Sequence, residues 1–489
     1  MTQTTPFFIF YAIMKNLLSI FTIGVACVVF AQENKKTDNY AIAMGLQNQH
    51  LSKSMSINVD WNNTIGKIKE LHGVNNSPVV HDKYIPEFKE AGIPYVRTHD
   101  TYGRFGGNVY IDIPNIFRNF DADPDDPASY DFTYTDEYLK SINKSGSKIF
   151  YRLGVTIENY HRIKAYNIYP PKDNLKWAKI CAGIIRHYTQ GWANGFKYDI
   201  QYWEIWNEPE NPMMWKGTRK EFFEMYKVAS KHLKKEFPNI KIGGFAHCGF
   251  FEITRPLNEC PTKGLHVLDW FHEFIEMVAD KNDPLPLDFF SWHLYTDNPK
   301  ELGIHAEYVR KSLDKLGLTH VENINNEWNY SLGARFGIIR KNHIGASMCA
   351  ATMCIMQQGS LDKAMYYDAT PTRGYCGIYN FPEMTLTKTY FVFKAFNELY
   401  KLGTAVKTTD RKDKEVYAIA SIDKKTGNKA ILAVNYSPNQ QRVKFNFEGQ
   451  PTSVVVINED YTFTELNYFL PENKVATLPP YTVLLIKVK

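Results

Sequence analysis

Strand-like and helix-like segments alternate regularly between Leu71 and Tyr400, and this pattern is compatible with few folds. Short apolar runs rich in β-branched and aromatic residues alternate with longer segments whose apolar residues recur at helical spacing. This alternation is typical of a parallel sheet, because parallel strands need a long crossover connection, usually a helix. The predicted strands are Leu71–Asn75, Tyr95–His99, Ile149–Leu153, Ile200–Trp206, Ile240–Ala246, Phe289–Tyr295, Val321–Glu327 and Ala364–Tyr367.

Eight strand–helix units predict an α/β fold, a (β/α)8 TIM barrel, over residues 70–400. An open doubly wound sheet is the alternative. That fold commonly carries a glycine-rich phosphate loop after its first strand, and none follows Asn75. The segment Thr101–Ser147 is rich in Asp, Pro and Tyr, and we expect it to lie on a βα loop and to shape the pocket.

The two ends of the chain predict a smaller β domain. After Lys401 the helical spacing disappears and short strands with turn residues between them follow, which predicts a β-sandwich over residues 401–489. The N-terminal segment of residues 32–69 begins with a polar stretch, but Met55–Asp60 alternates like a strand and is expected to join this sandwich.

The first residues are typical of an export signal. Lys15 precedes the apolar run Leu17–Phe30, and Ala31 ends a segment with the small residues of a cleavage site. We expect a signal peptide over residues 1–31 and a secreted or periplasmic mature protein, with Met14 as an alternative start. The apolar run is shorter than the roughly 20 residues of a membrane span, which disfavours a membrane anchor, so no span is expected after cleavage.

The cysteines indicate neither a lipid anchor nor a metal site. Lipidation of Cys27 is disfavoured because Gly24 stands where a bulky apolar residue is expected. The cysteines after residue 31 show no metal-binding spacing. Cys248 and Cys260 are close enough in sequence to form a disulfide in an oxidising compartment, and buried free thiols are the alternative.

The composition of the chain argues against a nucleic-acid partner and is compatible with a carbohydrate partner. A net charge of +5 over 489 residues gives no case for nucleic acid, which calls for a concentrated basic patch. Aromatic residues make up 15% of the chain, and such a surplus suits sugar binding because the apolar faces of sugar rings stack on Trp and Tyr. No sequence pattern indicates a cofactor or a metal ion, and we expect neither.

The strongest functional signal is Trp203-Glu-Ile-Trp-Asn207-Glu208-Pro209, at the end of the fourth predicted strand. Catalytic groups of TIM barrels lie at the C-terminal ends of the strands. Pro209 disfavours the helical conformation for Glu208, which keeps that side chain at the mouth. Glu208 is the candidate general acid/base of a glycoside hydrolase, and Asn207 can bind a sugar hydroxyl. A solvated turn carboxylate is the alternative.

Glycoside hydrolysis needs a second carboxylate. Glu327 qualifies as the nucleophile because it ends the seventh predicted strand. Glu322 is the rival on the same strand, but it lies near the strand's start. Glu204 lies deeper in the fourth strand, where we expect a buried ion pair.

Two further strands end in residues suited to this chemistry. Alternation places His293 and Tyr295 on one face of the sixth strand. Tyr295 is expected to donate to the nucleophile, and His293 to bind sugar or orient Glu208. Arg97 and His99 end the second strand. The charge of Arg97 is expected to stabilise the ionised nucleophile, and His99 to reach sugar hydroxyls; a structural role is the alternative for these residues.

These motifs resemble those of glycoside hydrolase family 39, in the clan of (β/α)8 retaining glycosidases. The resemblance covers roughly Ser56 to Tyr400 and implies that Glu208 is the acid/base and Glu327 the nucleophile. The motifs that carry it, in the family's order, are Leu71-His-Gly-Val-Asn75, Arg97-Thr-His99, Gly243-Gly-Phe-Ala246, Trp292-His-Leu-Tyr295 and Asn326-Glu-Trp-Asn329.

The sequence motifs indicate the mechanism more narrowly than they indicate the substrate. The loop after the second strand departs from the family's β-xylosidases, and Asn326 stands where the family often has Thr. We expect an exo-acting, β-xylosidase-like hydrolase, with a uronidase, a transglycosylase or a non-catalytic carbohydrate-binding protein as alternatives. A uronate would need a nearby cation, for which Arg373 is the candidate. Trp328 and Tyr367 complete the predicted substrate-binding residues.

Overall fold

The computed structural model describes residues 54–78, 84–100, 111–156, 168–372 and 374–489. The predicted signal peptide over residues 1–31, with Met14 and Cys27, lies outside the described residues. In the part of the chain that the structure describes, no helix is both long and apolar enough to cross a membrane.

Eight parallel strands close into a barrel, which confirms the predicted (β/α)8 architecture. Each strand pairs with the next in sequence, and the last returns to the first where Val74 pairs with Tyr366. The bounds agree with the predicted strands to within two residues at each end. The strands are β2 (Glu70–Asn75), β3 (Tyr95–Thr98), β4 (Lys148–Leu153), β5 (Tyr202–Ile205), β6 (Lys241–His247), β7 (Phe289–Tyr295), β8 (Glu322–Asn329) and β9 (Lys363–Tyr366).

Helices connect the strands, and the helix His343–Gln358 is buried on all sides from Gly345 to Gln357. The segment Thr101–Ser147 is not only a loop, because its described part contains two helices, α2 and α3. The stripe of Tyr138, Leu139 and Ile142 buries one face of α3. The helices are α1 (Ile85–Ala91), α2 (Ile113–Ile116), α3 (Thr133–Ser145), α4 (Asn174–Thr189), α5 (Arg219–Glu236), α6 (Val267–Val278), α7 (Pro299–Lys315), α8 (His343–Gln358) and α9 (Lys388–Leu402).

The remaining strands form one mixed sheet of nine strands in the order β15-β14-β17-β12-β11-β10-β1-β13-β16. Strand β1 pairs antiparallel with β10 and parallel with β13, so the N-terminal strand joins the C-terminal strands as predicted. The strands are β1 (Met55–Lys67), β10 (Thr404–Thr409), β11 (Val416–Ile422), β12 (Lys429–Asn435), β13 (Gln441–Asn446), β14 (Pro451–Ile457), β15 (Thr464–Glu465), β16 (Val475–Leu478) and β17 (Thr482–Val488).

This sheet folds over a core of its own. Phe445 of β13 and Val456 of β14 come from opposite parts of the strand order, yet they belong to one apolar cluster with Ile57 of β1. The two halves of the sheet therefore face each other in the manner of a sandwich.

The N-terminal end of the barrel is filled. The rings of Phe150, Tyr202 and Phe289 pack together inside it. At this end Glu322 accepts hydrogen bonds from the Tyr202 hydroxyl at 2.7 Å and from Lys241 at 2.5 Å. Glu322 therefore stabilises the closed end of the barrel. A concave site is expected at the opposite end, where the strands have their C-termini.

Candidate active site

Glu208 lies on a turn just past β5, in a backbone conformation unusual for its residue type. Trp206 and Glu208 have φ values of 75° and 46°. Pro209 disfavours the right-handed helical region for Glu208, and the Glu208 N–H donates to the carbonyls of Phe245 and Ala246 at 3.1 and 3.0 Å. Positive φ at a non-glycine residue costs on the order of 1 kcal/mol or more. Here it holds the carboxyl group at the barrel mouth with 20% of the side chain exposed.

A β-bulge brings Glu327 into the same mouth. Along the pairing of β7 and β8 the register shifts by one residue between Asn325 and Glu327, so Asn326 is an extra residue in β8. Bulges re-aim side chains. Asn326 and Glu327 both reach the site: Asn326 donates to the buried Glu204 at 2.5 Å, and Glu327 contacts His293.

His293 joins the two candidate catalytic carboxylates. Its Nδ1 atom lies 2.7 Å from Oε1 of Glu208 and 2.8 Å from Oε2 of Glu327. Burial lowers the pKa of His293, but the two carboxylates outweigh burial and raise it to about 9. The imidazole is therefore positively charged at neutral pH and holds both carboxylates in place.

The same three side chains are potential metal ligands. Within the described ranges, Glu208, His293 and Glu327 offer ligand atoms that all lie within 4.8 Å of one another. At neutral pH the Nδ1 atom of His293 carries a proton, so a metal ion would compete with that proton for the imidazole.

Arg97 lies beside Glu327 and is completely buried. It donates from Nε to Glu204 at 2.8 Å, from Nη1 to Asn75 at 3.0 Å and from Nη2 to Asn207 at 2.7 Å. Its Nη1 atom lies 3.7 Å from Oε1 of Glu327. Burial lowers the pKa of Arg97, but the charges of Glu204 and Glu327 outweigh burial and raise it above its usual value.

Glu204 forms the buried ion pair expected of it. Its second oxygen accepts from the Ser291 hydroxyl at 2.6 Å and from Asn326. Ser291, Asn326 and Asn75 were not predicted as site residues. Their signal in the sequence is a polar residue inside an apolar strand near a catalytic end, because buried polar groups need partners.

His99 and Tyr367 meet at Asp100, beside the candidate nucleophile. Nε2 of His99 lies 3.3 Å from Oδ1 of Asp100 and 3.9 Å from Oε1 of Glu327. The Tyr367 hydroxyl donates to Oδ2 of Asp100 at 2.5 Å. Arg152 donates to Nδ1 of His99 at 3.3 Å, which leaves the ring proton on Nε2. His99 thus directs an N–H group toward the carboxylates.

Two predicted contacts differ in the structure. Burial, and then the charge of Glu327, raise the pKa of Tyr295 well above its usual range, but no hydrogen bond joins their side chains within the described part of the site. Trp328 has no exposed surface and packs edge-on against Tyr366 at 5.2 Å. Past the bulge, alternation turns Trp328 out of the barrel, which corrects the prediction that it contacts substrate. Arg373 lies outside the described residues.

A further carboxyl group, which the sequence did not lead us to predict, lies behind Glu208. The Glu210 side chain is buried and accepts from the Cys248 N–H at 2.7 Å. Burial, with the charge of Glu208, raises the pKa of Glu210 to about 8. Burial also raises the pKa of the Cys248 thiol, which hydrogen-bonds with Glu208. Cys248 and Cys260 are free thiols, so the alternative of a disulfide between them is not realised.

Known proteins are similar to this chain in sequence and in fold. The family model described as glycosyl hydrolases family 39 matches residues 46–326, a segment that includes Glu208 and ends one residue before Glu327. A β-xylosidase of Geobacillus stearothermophilus is 26% identical over 225 residues, which are 44% of this chain and 38% of the relative. A β-xylosidase of Caldicellulosiruptor saccharolyticus is 25% identical over 319 residues, which are 58% and 57%.

The chain thus spans less than two thirds of the length of these two curated relatives. A solved glucosidase structure from Croceicoccus marinus is similar with a TM-score of 0.69 at 21% identity, covering 89% of this chain and 99% of the other. At that level of identity, the likeness shows the fold alone.

Proposed function

Since the chain belongs to glycosyl hydrolase family 39, we propose that it hydrolyses glycosidic bonds of carbohydrates by a retaining double displacement. The observation that carries the proposal is the spacing of Glu208 and Glu327 around His293, with contacting atoms within 4.8 Å of one another. Retaining glycosidases have carboxyl groups about 5–5.5 Å apart, whereas inverting enzymes need about 6.5–9.5 Å to admit a water molecule. The spacing therefore supports retention.

Exposure supports the division of roles. The Glu208 side chain is 20% exposed and the Glu327 side chain 7%. An acid/base must reach both the leaving group and the incoming water, whereas a nucleophile needs access to the anomeric carbon alone. In the first step a Glu327 oxygen bonds to the anomeric carbon while Glu208 gives its proton to the departing oxygen. In the second step Glu208 takes a proton from water, whose oxygen displaces Glu327.

The neighbouring cations suit these steps. Arg97 and His293 lie beside Glu327, where positive charge stabilises the carboxylate before attack and as it leaves. Once Glu208 has given its proton to the leaving group and Glu327 is held in the ester, Glu208 is free to accept a proton from the attacking water. The amide oxygen of Asn207 is occupied by Arg97, so its amide nitrogen is the group that can donate to a sugar hydroxyl.

Substitution of the two carboxylates tests the proposal. We expect Glu208→Gln to lower kcat by on the order of 10²–10⁴-fold and Glu327→Gln to abolish turnover, because no ester can form. Glu322→Gln is the matched control, since Glu322 lies on the same strand at the closed end of the barrel. Azide should partly restore Glu208→Ala on an activated aryl glycoside. Wild-type turnover by Glu208→Gln or by Glu327→Gln would refute the catalytic role assigned to that residue.

The stereochemistry has its own test. The anomer formed first from an aryl glycoside can be followed by proton NMR before mutarotation. Retention predicts a product of the same anomeric configuration as the substrate. An inverted product would refute double displacement while leaving hydrolysis itself intact.

For the substrate, we propose exo-action on β-xylosides. The two β-xylosidases with about 25% identity support this choice. Hydrolysis of a panel of 4-nitrophenyl glycosides, with uronides included, and the products from xylo-oligosaccharides test it. Early products that are xylose and the oligosaccharide shortened by one residue indicate exo-action, whereas early cleavage at internal bonds, with two oligosaccharides as products, contradicts it.

Export is proposed on the sequence of residues 1–31. Expression of the full chain in a bacterial host, followed by N-terminal sequencing of the exported protein, tests it. A mature N-terminus at Gln32 is expected, and retention of the uncleaved chain in the cytoplasm contradicts it.

A further inference from the structure

Three tyrosine rings form a continuous surface beside the candidate catalytic residues. Tyr295 ends β7, Tyr367 follows β9, and Tyr375 lies on the loop between β9 and α9. The ring centroid of Tyr375 lies 5.6 Å from the centroid of Tyr295 and 5.6 Å from that of Tyr367. The centroids of Tyr295 and Tyr367 are 6.3 Å apart, and in each pair the two ring planes are steeply inclined to each other. Aromatic pairs favour such arrangements at about 4.5–7 Å. We call Tyr295, Tyr367 and Tyr375 the aromatic wall.

The aromatic wall borders the site on the side of the candidate nucleophile. Beyond burial, the charge of Glu327 is the largest contribution to the raised pKa of Tyr295. Tyr367 is 6% exposed and its hydroxyl donates to Asp100. Tyr295 and Tyr375 are only half-buried. The accessible ring surface of the aromatic wall therefore belongs mainly to these two residues.

A buried arginine holds Tyr375 in place. Arg340 is fully buried, and its guanidinium lies over the Tyr375 ring, 4.4 Å from the centroid. It donates to the carbonyls of Tyr330 at 3.1 Å, Gly374 at 3.0 Å and Ser331. Burial lowers the pKa of Arg340, and among the described residues no carboxylate forms an ion pair with it. A charge buried without an acidic partner is costly, so its three carbonyl bonds indicate a role in fixing these loops.

The polar groups of Tyr375 are held as well. Its hydroxyl accepts from the Gly333 N–H at 3.1 Å. Asn329 donates to the Tyr375 carbonyl at 2.8 Å and to the Tyr367 carbonyl at 2.5 Å. Residues at the end of β8 and in the loop after it thus position residues that follow β9. A ring held in one place loses little conformational entropy when a ligand packs on it.

We propose that Tyr375 is a substrate-contacting residue that selects the sugar, and that Arg340 is its positioning residue. The proposal rests on the proposed function and narrows its substrate. A fixed, half-exposed ring beside Tyr295 offers an apolar face to a sugar whose anomeric carbon is at Glu327. Xylosides and glucosides with equatorial ring hydroxyls present C–H groups on their faces and fit this surface.

Steady-state kinetics on 4-nitrophenyl β-D-xyloside and 4-nitrophenyl β-D-glucoside test the role of Tyr375. We expect Tyr375→Ala to raise KM roughly tenfold, which corresponds to about 1.4 kcal/mol, with kcat nearly unchanged because the ring binds ground state and transition state alike. Tyr375→Phe loses the contact with Gly333 but keeps the ring under Arg340 and the Asn329 bond to its carbonyl, so its KM should stay closer to the wild-type value than that of Tyr375→Ala. Tyr468→Ala removes a tyrosine that is 72% exposed in the β domain and should change neither constant.

Arg340→Gln tests the positioning role and should raise KM as Tyr375→Ala does. If that variant does not fold, as judged by circular dichroism, Arg340→Lys replaces it. A folded Tyr375→Ala enzyme with the wild-type KM on both substrates overturns the inference, and so does a loss confined to kcat. A wild type that hydrolyses no glycoside overturns the proposed function together with this inference. An active wild type with an unaffected Tyr375→Ala variant overturns the inference alone.

Discussion

The bridge made by His293 predicts a pH-dependent stability that a single substitution can isolate. The imidazole is buried, and its Nδ1 atom contacts Glu208 at 2.7 Å and Glu327 at 2.8 Å. Replacing it in His293→Gln leaves a side chain that can donate hydrogen bonds but has no charge to lose. The difference in the free energy of unfolding between wild type and variant should therefore change with pH.

The magnitude follows from the shift in pKa. The pKa of His293 is about 9 in the folded protein and about 6.5 in an unfolded chain. Because the folded protein binds the proton of His293 more tightly than the unfolded chain, the charged imidazole stabilises the fold fully below pH 6.5. This stabilisation is lost as the pH rises through 9. One pKa unit corresponds to about 1.36 kcal/mol, so the loss amounts to roughly 3 kcal/mol.

Urea denaturation at pH 6 and at pH 9.5 provides the assay. The free energy of unfolding of the wild type should exceed that of His293→Gln by roughly 3 kcal/mol less at pH 9.5 than at pH 6. His272→Gln, on an exposed face of α6, serves as the control and should follow the wild type. An advantage that stays constant with pH would show that His293 is not the charged bridge inferred from its contacts.

Other substitutions test the surrounding groups. Arg97→Lys keeps the charge but cannot make the three separate contacts of the guanidinium. The resulting misplacement of Glu204, Asn75 and Asn207 should lower kcat/KM by on the order of 10²-fold, and an unchanged value would contradict this reasoning. For Glu210, a pKa raised to about 8 means stability lost as the pH rises through 8. The thermal midpoint of Glu210→Gln should therefore fall less between pH 5 and pH 9 than that of the wild type. Asp112→Asn should lower stability by roughly 3–5 kcal/mol, because it leaves the buried Arg152 without its carboxylate at 2.6 Å; a wild-type melting temperature would count against that pairing.

Local sequence patterns were sufficient for the barrel and for the first catalytic candidate. The spacing of apolar residues defined the strands to within two residues, because strand and helix periods differ and both are local properties. Glu208 could be identified from its own neighbours, since it combines the end of an apolar strand with a following proline. The buried pairing of Glu204 followed from its depth in the same strand.

The same reasoning was insufficient where strands had to be compared. Alternation places adjacent residues on opposite faces only while the register is regular. The extra residue Asn326 in β8 exists only in relation to β7, and it turns Asn326 and Glu327 into the site while Trp328 faces the helices. The substrate contact predicted for Trp328 was wrong for this reason.

Short-range features of the chain specify the eight strand–helix units and the positions of Glu208 and Glu327 at strand ends, because backbone propensity and burial pattern are properties of short segments. Only the folded barrel shows which of these strand ends are joined by hydrogen bonds, ion pairs or aromatic contacts. His293 between the two carboxylates, Arg97 across three side chains, and Arg340 under Tyr375 are contacts between residues on different strands and loops. Only closure of the barrel brings them within hydrogen-bonding distance, since nothing in the local sequence of one strand specifies the neighbour that another strand supplies.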